Sequence, residues 1–354
     1  MFEGLKVVEL ASVLAGPLVG SFFAELGAEV IKIENAKTGG DVTRNWKLPS
    51  ENESYSFSAY YVSANYGKSS IFLDLTEEES YQRVIDLLRT SDIVLVNFKP
   101  GDAIKLQLDY SAIKKINPSI IYAELTGFGE DDPRSAFDAI LQAESGFMSI
   151  NGEKNSRPLK MPIAFVDILA AHQLKEGILC AYIQRLKTNQ GAKVSVSLYH
   201  SAIASLANQA TNYLMAKTIP TRMGSEHPNI APYGDLFQTK DKVWLILAIG
   251  TEFQFQQLCQ ALDITHLLEH KLFSKNVLRV LHRQSLNVVL AEAIEKWNCL
   301  DIETTFKNLR LPYGRVKNME EVFDSQSAQK LVIEDEMDGC KVKRVKTVVF
   351  NLSN

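Results

Sequence analysis

Apolar positions along the first two hundred residues fall into two alternating rhythms. Short β-branched runs at Leu5–Leu10, Glu29–Glu34, Ser69–Leu73, Ile93–Val96 and Ser119–Leu125 read as strands, and helix-period segments separate them. That alternation predicts a parallel sheet with crossover helices. Gly16-Pro17 introduces an apolar helix to Leu26, with the proline near a position where its missing N–H does no harm. Thr76-Glu77-Glu78-Glu79 has the form of a capping box opening the helix after the third strand.

After Met161-Pro162-Ile163-Ala164-Phe165-Val166-Asp167, helical periodicity runs to about Thr188, followed by a strand at Ala192–Ser197 and a helix at His200–Met215. Turn formers crowd Pro220–Pro232 and mark a boundary. Beyond it come a strand at Val243–Ala248, helix-period segments to Arg310, and strand-like patterning at Leu331–Glu334 and Lys341–Phe350.

With 354 residues, 46% of them hydrophobic, the chain can bury a core large enough for two domains. The expected fold is α/β: a Rossmann-like parallel-sheet large domain, residues 1–198 plus 318–354, and a smaller α+β domain with a linker helix over 199–317. A 23% charged fraction and a formal charge of -4 leave no electrostatic footprint for nucleic acid or an acidic membrane. Cys180, Cys259, Cys299 and Cys340 form no CxxC pair, so reduced thiols and a cytoplasmic location are expected, without an export leader or a membrane span.

Several chemistries find little support. The first βαβ unit ends in Glu34 as in a dinucleotide fold, but Ala15-Gly16-Pro17-Leu18-Val19-Gly20 lacks the GxGxxG fingerprint, and no Walker A sequence occurs. His266-Leu267-Leu268-Glu269-His270 has zinc-peptidase spacing, but a catalytic zinc needs a third protein ligand that the following segment does not offer. A helix surface with two histidines is the weightier reading, and no metal is expected. There is no GxSxG elbow, and Cys180 falls in an apolar helical stretch where cysteine usually packs. Catalysis then rests on carboxylates, with Asp138, Asp167, Asp235 and Glu252 as candidates. Asp167 at a helix start could equally serve the free N–H groups there.

Taken together, the chain resembles the family III CoA-transferases, the formyl-CoA and carnitine CoA-transferase family that also includes the 2-methylacyl-CoA racemases. The likeness is carried by Gly4–Leu10 with Val13-Leu14-Ala15-Gly16-Pro17, Leu26–Glu34, Gly40-Asp41-Val42-Thr43-Arg44 and Asn65–Ser70 leading into Leu73-Asp74-Leu75. It continues through Asn97-Phe98-Lys99-Pro100-Gly101, Thr126-Gly127-Phe128-Gly129, Phe137-Asp138 with Gln142-Ala143, Asp167, His227-Pro228 and Pro232-Tyr233-Gly234.

The resemblance implies that Asp167 is a nucleophile. Its carboxylate would attack an acyl-CoA thioester, giving an aspartyl-acyl anhydride and then an aspartyl-CoA thioester that an incoming carboxylic acid resolves. A serine would instead form a stable ester and discard the thioester energy. The same resemblance assigns Val13, Leu14, Leu73, Asn97, Phe98 and Lys105 to CoA and makes Phe137 an apolar wall beside the thioester. Lys105 also follows a tight Pro-Gly turn, where a cation can meet phosphate. Lys37, Arg44, Lys68 and Arg134 are further candidates; an arginine of the formyl-CoA branch is Asn35 here, so phosphate recognition is expected to differ in detail.

Coenzyme A or acyl-CoA is then substrate, with no permanently bound cofactor, and the partners are an acyl-CoA donor and a carboxylic acid acceptor. The family also implies an intertwined, interlocked-ring homodimer. A racemase is the alternative enzyme, although its histidine falls at Phe137, which cannot exchange a proton. A CoA-binding protein without turnover is the alternative outside enzymes.

Overall fold

The computed structural model describes residues 1–353 and separates into two compact units. The first comprises residues 1–148, 160–218 and 327 onward, and the second comprises 149–159 and 219–326. Residues 199–218 fall in the first unit, and the short segment 149–159 falls in the second.

The first unit is built on β1 (Lys6–Leu10), α1 (Ala15–Glu25), β2 (Glu29–Asn35), α2 (Ala59–Asn65), β3 (Ser69–Leu73), α3 (Glu78–Thr90) and β4 (Ile93–Val96). The chain continues with α4 (Asp102–Lys105), α5 (Tyr110–Ile116), β5 (Ile121–Thr126), α6 (Asp138–Glu144), the short α7 (Phe147–Ile150) that runs across the division at 148/149, and then α8 (Phe165–Thr188), β6 (Ala192–Ser197), α9 (Leu198–Ala204) and α10 (Ala207–Ala216) of the first unit. The strands form one six-stranded sheet in the order β3-β2-β1-β4-β5-β6, and every ladder is parallel. This is the doubly wound order, whose chain reversal lies between β1 and β4. The α/β expectation therefore holds.

Both faces of the sheet are covered at its centre, which is why β4 reads as a continuous apolar run buried throughout, whereas the edge strands β3 and β6 keep exposed polar positions. Val7, Val30, Ile93, Leu95 and Ile121 pack with α1 and α8 on one face. Val8, Ile33, Val94, Val96 and Tyr122 pack with α3 and α5 on the other. Each such side chain contributes about 1.5–3 kcal/mol through burial. Gly177 lets α8 lie close to β6, since a Cβ there would stand 2.5 Å from Val194 Cγ1.

Local signals fail in two places. The capping box does not form: Thr76 Oγ1 donates to Asp74 Oδ1 at 2.7 Å, and α3 is capped at Glu77 without a side-chain bond. The single helix expected at 200–215 breaks into α9 and α10 at Ser205-Leu206, where the Ser205 hydroxyl bonds back to Ser201 O at 2.8 Å.

The second unit contains β7 (Tyr233–Gln238), β8 (Trp244–Ala248), α11 (Glu252–Ala261), α12 (Asn276–Leu281), α13 (Arg283–Ile294), α14 (Cys299–Asn308) and β9 (Tyr313–Arg315). Its antiparallel sheet runs β7-β8-β9, and Leu245, Leu247, Phe255, Leu286 and Phe306 join in its core. The three-residue β9 is too short to give a sequence pattern. The chain's last strands, β10 (Val332–Met337) and β11 (Cys340–Val345), form a hairpin in the first unit.

Candidate active site

Helix α8 begins without a capping side chain of its own, because Ala164 stands at the cap. The missing partner comes from α6. Asp138 Oδ1 accepts the Val166 N–H at 2.8 Å, and Asp138 Oδ2 accepts from Gln142 Nε2 at 2.7 Å. Gln142 Oε1 in turn accepts the Met161 N–H at 2.7 Å. This one face of α6 therefore fixes how the chain enters α8, and with it the direction of the Asp167 side chain.

Asp167, in the first turn of α8, is 8% exposed. Burial, with the Asp138 charge as the second cause, pushes its carboxyl up to about 7, and no hydrogen bond works in the opposite direction. The helix N-terminus favours the anion, but desolvation wins here. Tyr60, partly buried, is pushed up to about 12 by burial and then by the charges of Asp167, Asp138 and Asp41.

Two cavities open at the C-terminal ends of the strands. One, of about 850 Å³, spreads over the ends of β1 to β4 and is lined by Ser12, Asp41, Leu73, Asn97, Phe98 and Lys105 among others. The other, of about 670 Å³, lies toward β5 and is lined by Thr126, Gly127, Arg134, Phe137 and Lys193 among others. Asn97, Phe98, Lys99 and Asp102 border both, so the segment after β4 is a shared wall. Cavities of this size at the chain reversal of a parallel sheet suit a nucleotide-sized ligand.

The residues named from sequence distribute unevenly around these openings. Leu73, Asn97, Phe98 and Lys105 line the larger cavity, and Phe137, 58% exposed at the cap of α6, lines the smaller one beside Asp138. Val13 and Leu14 line neither; they form the turn between β1 and α1, directly after the lining residue Ser12. The Asn97 amide is occupied in gripping Ser12, accepting its N–H at 3.1 Å and donating to its carbonyl at 2.9 Å. Lys105 is exposed and paired with Asp102 Oδ1 at 3.0 Å.

Three of the further phosphate candidates have other occupations. Arg44 is buried against Glu34, with Nε and Nη2 donating at 2.8 and 2.7 Å. Lys68 is buried against Glu9 Oε2 at 2.7 Å, and Arg134 is exposed between Asp132 and Glu144. Lys37 stands at the rim of the larger cavity, 2.9 Å from Asp74 Oδ2. The other carboxylate candidates are neutralised by arginine: Asp235 pairs with Arg283 at 2.8 Å, and Glu252 takes both terminal nitrogens of Arg279. His266 lies in a 3-10 turn ending at Leu267, and His270 stacks on Phe273 beyond it, so the two imidazoles do not share one helical turn.

A buried ionic network beneath the larger cavity escaped the sequence reading. Lys32 Nζ lies 2.9 Å from Glu9 Oε1, 3.0 Å from Asp41 Oδ2 and 2.7 Å from Ala11 O. Its trace in the sequence is a charge inside each of two apolar strands, Val7-Val8-Glu9-Leu10 and Ile31-Lys32-Ile33. Glu9 and Lys32 are direct partners in the β1–β2 register.

Comparison with known proteins agrees with this architecture. The model of CoA-transferase family III matches residues 2–354. The chain is 38% identical to the succinate–glutarate CoA-transferase of Agrobacterium fabrum, covering 98% of this chain and 88% of that protein. It is 34% identical to the human succinyl-CoA:glutarate CoA-transferase, covering 91% and 73% respectively. Among solved structures, a CaiB/BaiF family protein from Brucella suis is 36% identical, with a TM-score of 0.85 over 99% of this chain and 92% of that one. The chain belongs to CoA-transferase family III and is an enzyme of that family.

Proposed function

From this membership we propose that the enzyme moves CoA between dicarboxylic acids, with Asp167 as the nucleophile. The observation that carries the reading is the buried Asp167 carboxylate, which no hydrogen bond stabilises and which burial holds near pH 7. Such an oxygen is poorly solvated and correspondingly nucleophilic, and its enclosure slows hydrolysis of an activated intermediate.

An Asp167 oxygen attacks the thioester carbonyl, the C–S bond breaks, and CoA leaves as thiolate with an aspartyl-acyl anhydride in place. The thiolate then attacks the aspartyl carbonyl and releases the donor acid. The acceptor carboxylate attacks the resulting aspartyl-CoA thioester, expelling thiolate and forming a second anhydride. Attack of the thiolate on its acyl carbonyl frees Asp167 and the new acyl-CoA. No net proton, oxidant or bound metal is required.

CoA is assigned to the larger cavity, against Ala11, Ser12, Leu73 and Phe98, with Lys105 and Lys37 at its rim for phosphate. The first unit then carries CoA binding and catalysis. The names of the relatives point to succinate and glutarate as the exchanged acids. Racemisation is disfavoured, because Phe137 supplies no proton and Glu252 is engaged by Arg279.

A dimer and a cytoplasmic location complete the reading. Among the described residues no helix is long and apolar enough to cross a membrane. Helix α10 has no buried residue and exposes Tyr213, Leu214 and Met215, which suits cover by a second copy. Sedimentation as a monomer at micromolar concentration would count against that state.

The deciding experiment crosses succinyl-CoA, glutaryl-CoA and acetyl-CoA donors with succinate, glutarate and oxalate acceptors, read by mass spectrometry. Transfer between succinate and glutarate is expected. Saturable CoA binding without transfer in any pair would sink the proposal.

A further inference from the structure

The turn between β1 and α1 holds a conformation that its own sequence disfavours. Val13 has φ 72°, in the left-handed region, where a β-branched side chain is strained and only glycine is at ease. Two side chains from outside the turn hold it there. Asn97 grips Ser12 from the β4 side, and Asp41 Oδ2 accepts the Val13 N–H at 3.1 Å from the β2 side.

Asp41 is in turn fixed rather than free to adapt. It is 4% exposed, its Oδ1 accepts the Thr43 N–H at 3.0 Å and the Thr43 hydroxyl at 2.8 Å, and its Oδ2 pairs with Lys32 at 3.0 Å. Lys32 also donates to Ala11 O at 2.7 Å, so the same ion pair ties down both ends of the turn. Lys32 is anchored on Glu9, and Glu9 on Lys68. The chain of contacts ends in the buried sheet.

We infer that Asp41 is a positioning residue for CoA: through Val13 N–H and Lys32 it holds the turn Ala11–Leu14 in the strained shape that sets its first two residues, Ala11 and Ser12, into the wall of the larger cavity. The inference rests on the reading that this cavity holds CoA. Asp41 acts through the backbone of the turn, so its loss acts on affinity and leaves the chemistry at Asp167 in place. A purely electrostatic role predicts the opposite sign, because removing a carboxylate beside the cavity would tighten binding of a polyanion.

The test is a double-mutant cycle read by titration calorimetry with free CoA. Asp41→Ala is expected to weaken CoA about tenfold, the order of the strain carried by one left-handed residue, and to raise KM for the acyl-CoA with kcat nearly unchanged. Asp41→Asn keeps an oxygen for the Val13 N–H, so its loss should be smaller. Val13→Gly removes the strain, so the penalty of Asp41→Ala should shrink to about threefold or less when measured in the Val13→Gly background. Should Asp41→Ala not fold, the same cycle is run with Asp41→Asn.

Equal penalties in the two backgrounds, or tighter CoA binding by Asp41→Asn, would overturn the inference while leaving the transferase reading intact. A wild-type protein that binds no CoA would overturn both.

Discussion

Asp138 grips the first turn of the helix that carries Asp167: its Oδ1 accepts the Val166 N–H at 2.8 Å. One carboxylate thus caps α8 and also sets a negative charge beside the other. The consequence for Asp167 is a carboxyl raised from 3.8 to about 7, by burial first and by Asp138 second.

If ionised Asp167 is the nucleophile, kcat/KM should rise with pH and level off above an inflection near 7. Asp138→Asn removes the like charge while its amide oxygen can still accept the Val166 N–H. The inflection should then move to lower pH. A profile flat from pH 5 to 8 would exclude Asp167 as the titrating group.

Asp167→Ala and Asp167→Asn should abolish transfer while free CoA still binds, and hydroxylamine present during turnover should modify Asp167 in the wild type. Stability should move the other way. Because the folded pKa is raised, the stabilising contribution of Asp167 is complete below about 4 and is lost as pH rises through about 7. Asp167→Asn should therefore raise Tm by several degrees at pH 8 relative to wild type, and by little at pH 4. An asparagine variant that loses stability at pH 8 would contradict an uncompensated buried charge.

Lys105→Ala should raise KM for acyl-CoA about five- to tenfold with little change in kcat, since a phosphate contact far from the thioester holds ground and transition states alike. The exposed pair with Asp102 must open for this contact to form. Asp102→Ala, which frees the lysine, should leave KM unchanged or lower it. A fall in kcat alone for Lys105→Ala would place the lysine at the chemistry instead.

Phe137 separates transfer from racemisation. In deuterium oxide the wild-type enzyme should leave the α-proton of a 2-methylacyl-CoA unexchanged, as followed by mass spectrometry. Rapid uptake of deuterium would mean that another group supplies the missing base.

Gly20→Ala tests the buried network. An added Cβ would lie 1.9 Å from Glu9 Oε2 and 3.1 Å from Lys68 Nζ. Displacing that carboxylate strands two buried lysines, so a loss of roughly 3 kcal/mol or more is expected in denaturant unfolding. A variant as stable as wild type would show that the network repacks.

The sheet was legible because its inner strands are buried on both faces, as β4 is throughout; the more exposed edge strands β3 and β6 also start and end where their sequence patterns do, and α8 ends at Thr188 as its periodicity predicts. Asp167 was legible as a carboxylate at a helix start, and the proposal that it is the nucleophile came from resemblance. Local pattern could not supply what depends on residues far apart in the chain. The capping box at Thr76 failed because Asp74 took the threonine hydroxyl. Arg44 and Lys68, read as phosphate ligands, were claimed by Glu34 and Glu9.

The cap of α8 comes from Asp138, 28 residues upstream, and the strained turn at Val13 is held by Asp41, 28 residues downstream. Sequence by itself determined which segments must be buried, because hydrophobic periodicity is a local property. Tertiary structure decided which charges are free and which are spent on one another, because pairing a buried charge depends on what the folded chain brings within about 3 Å of it.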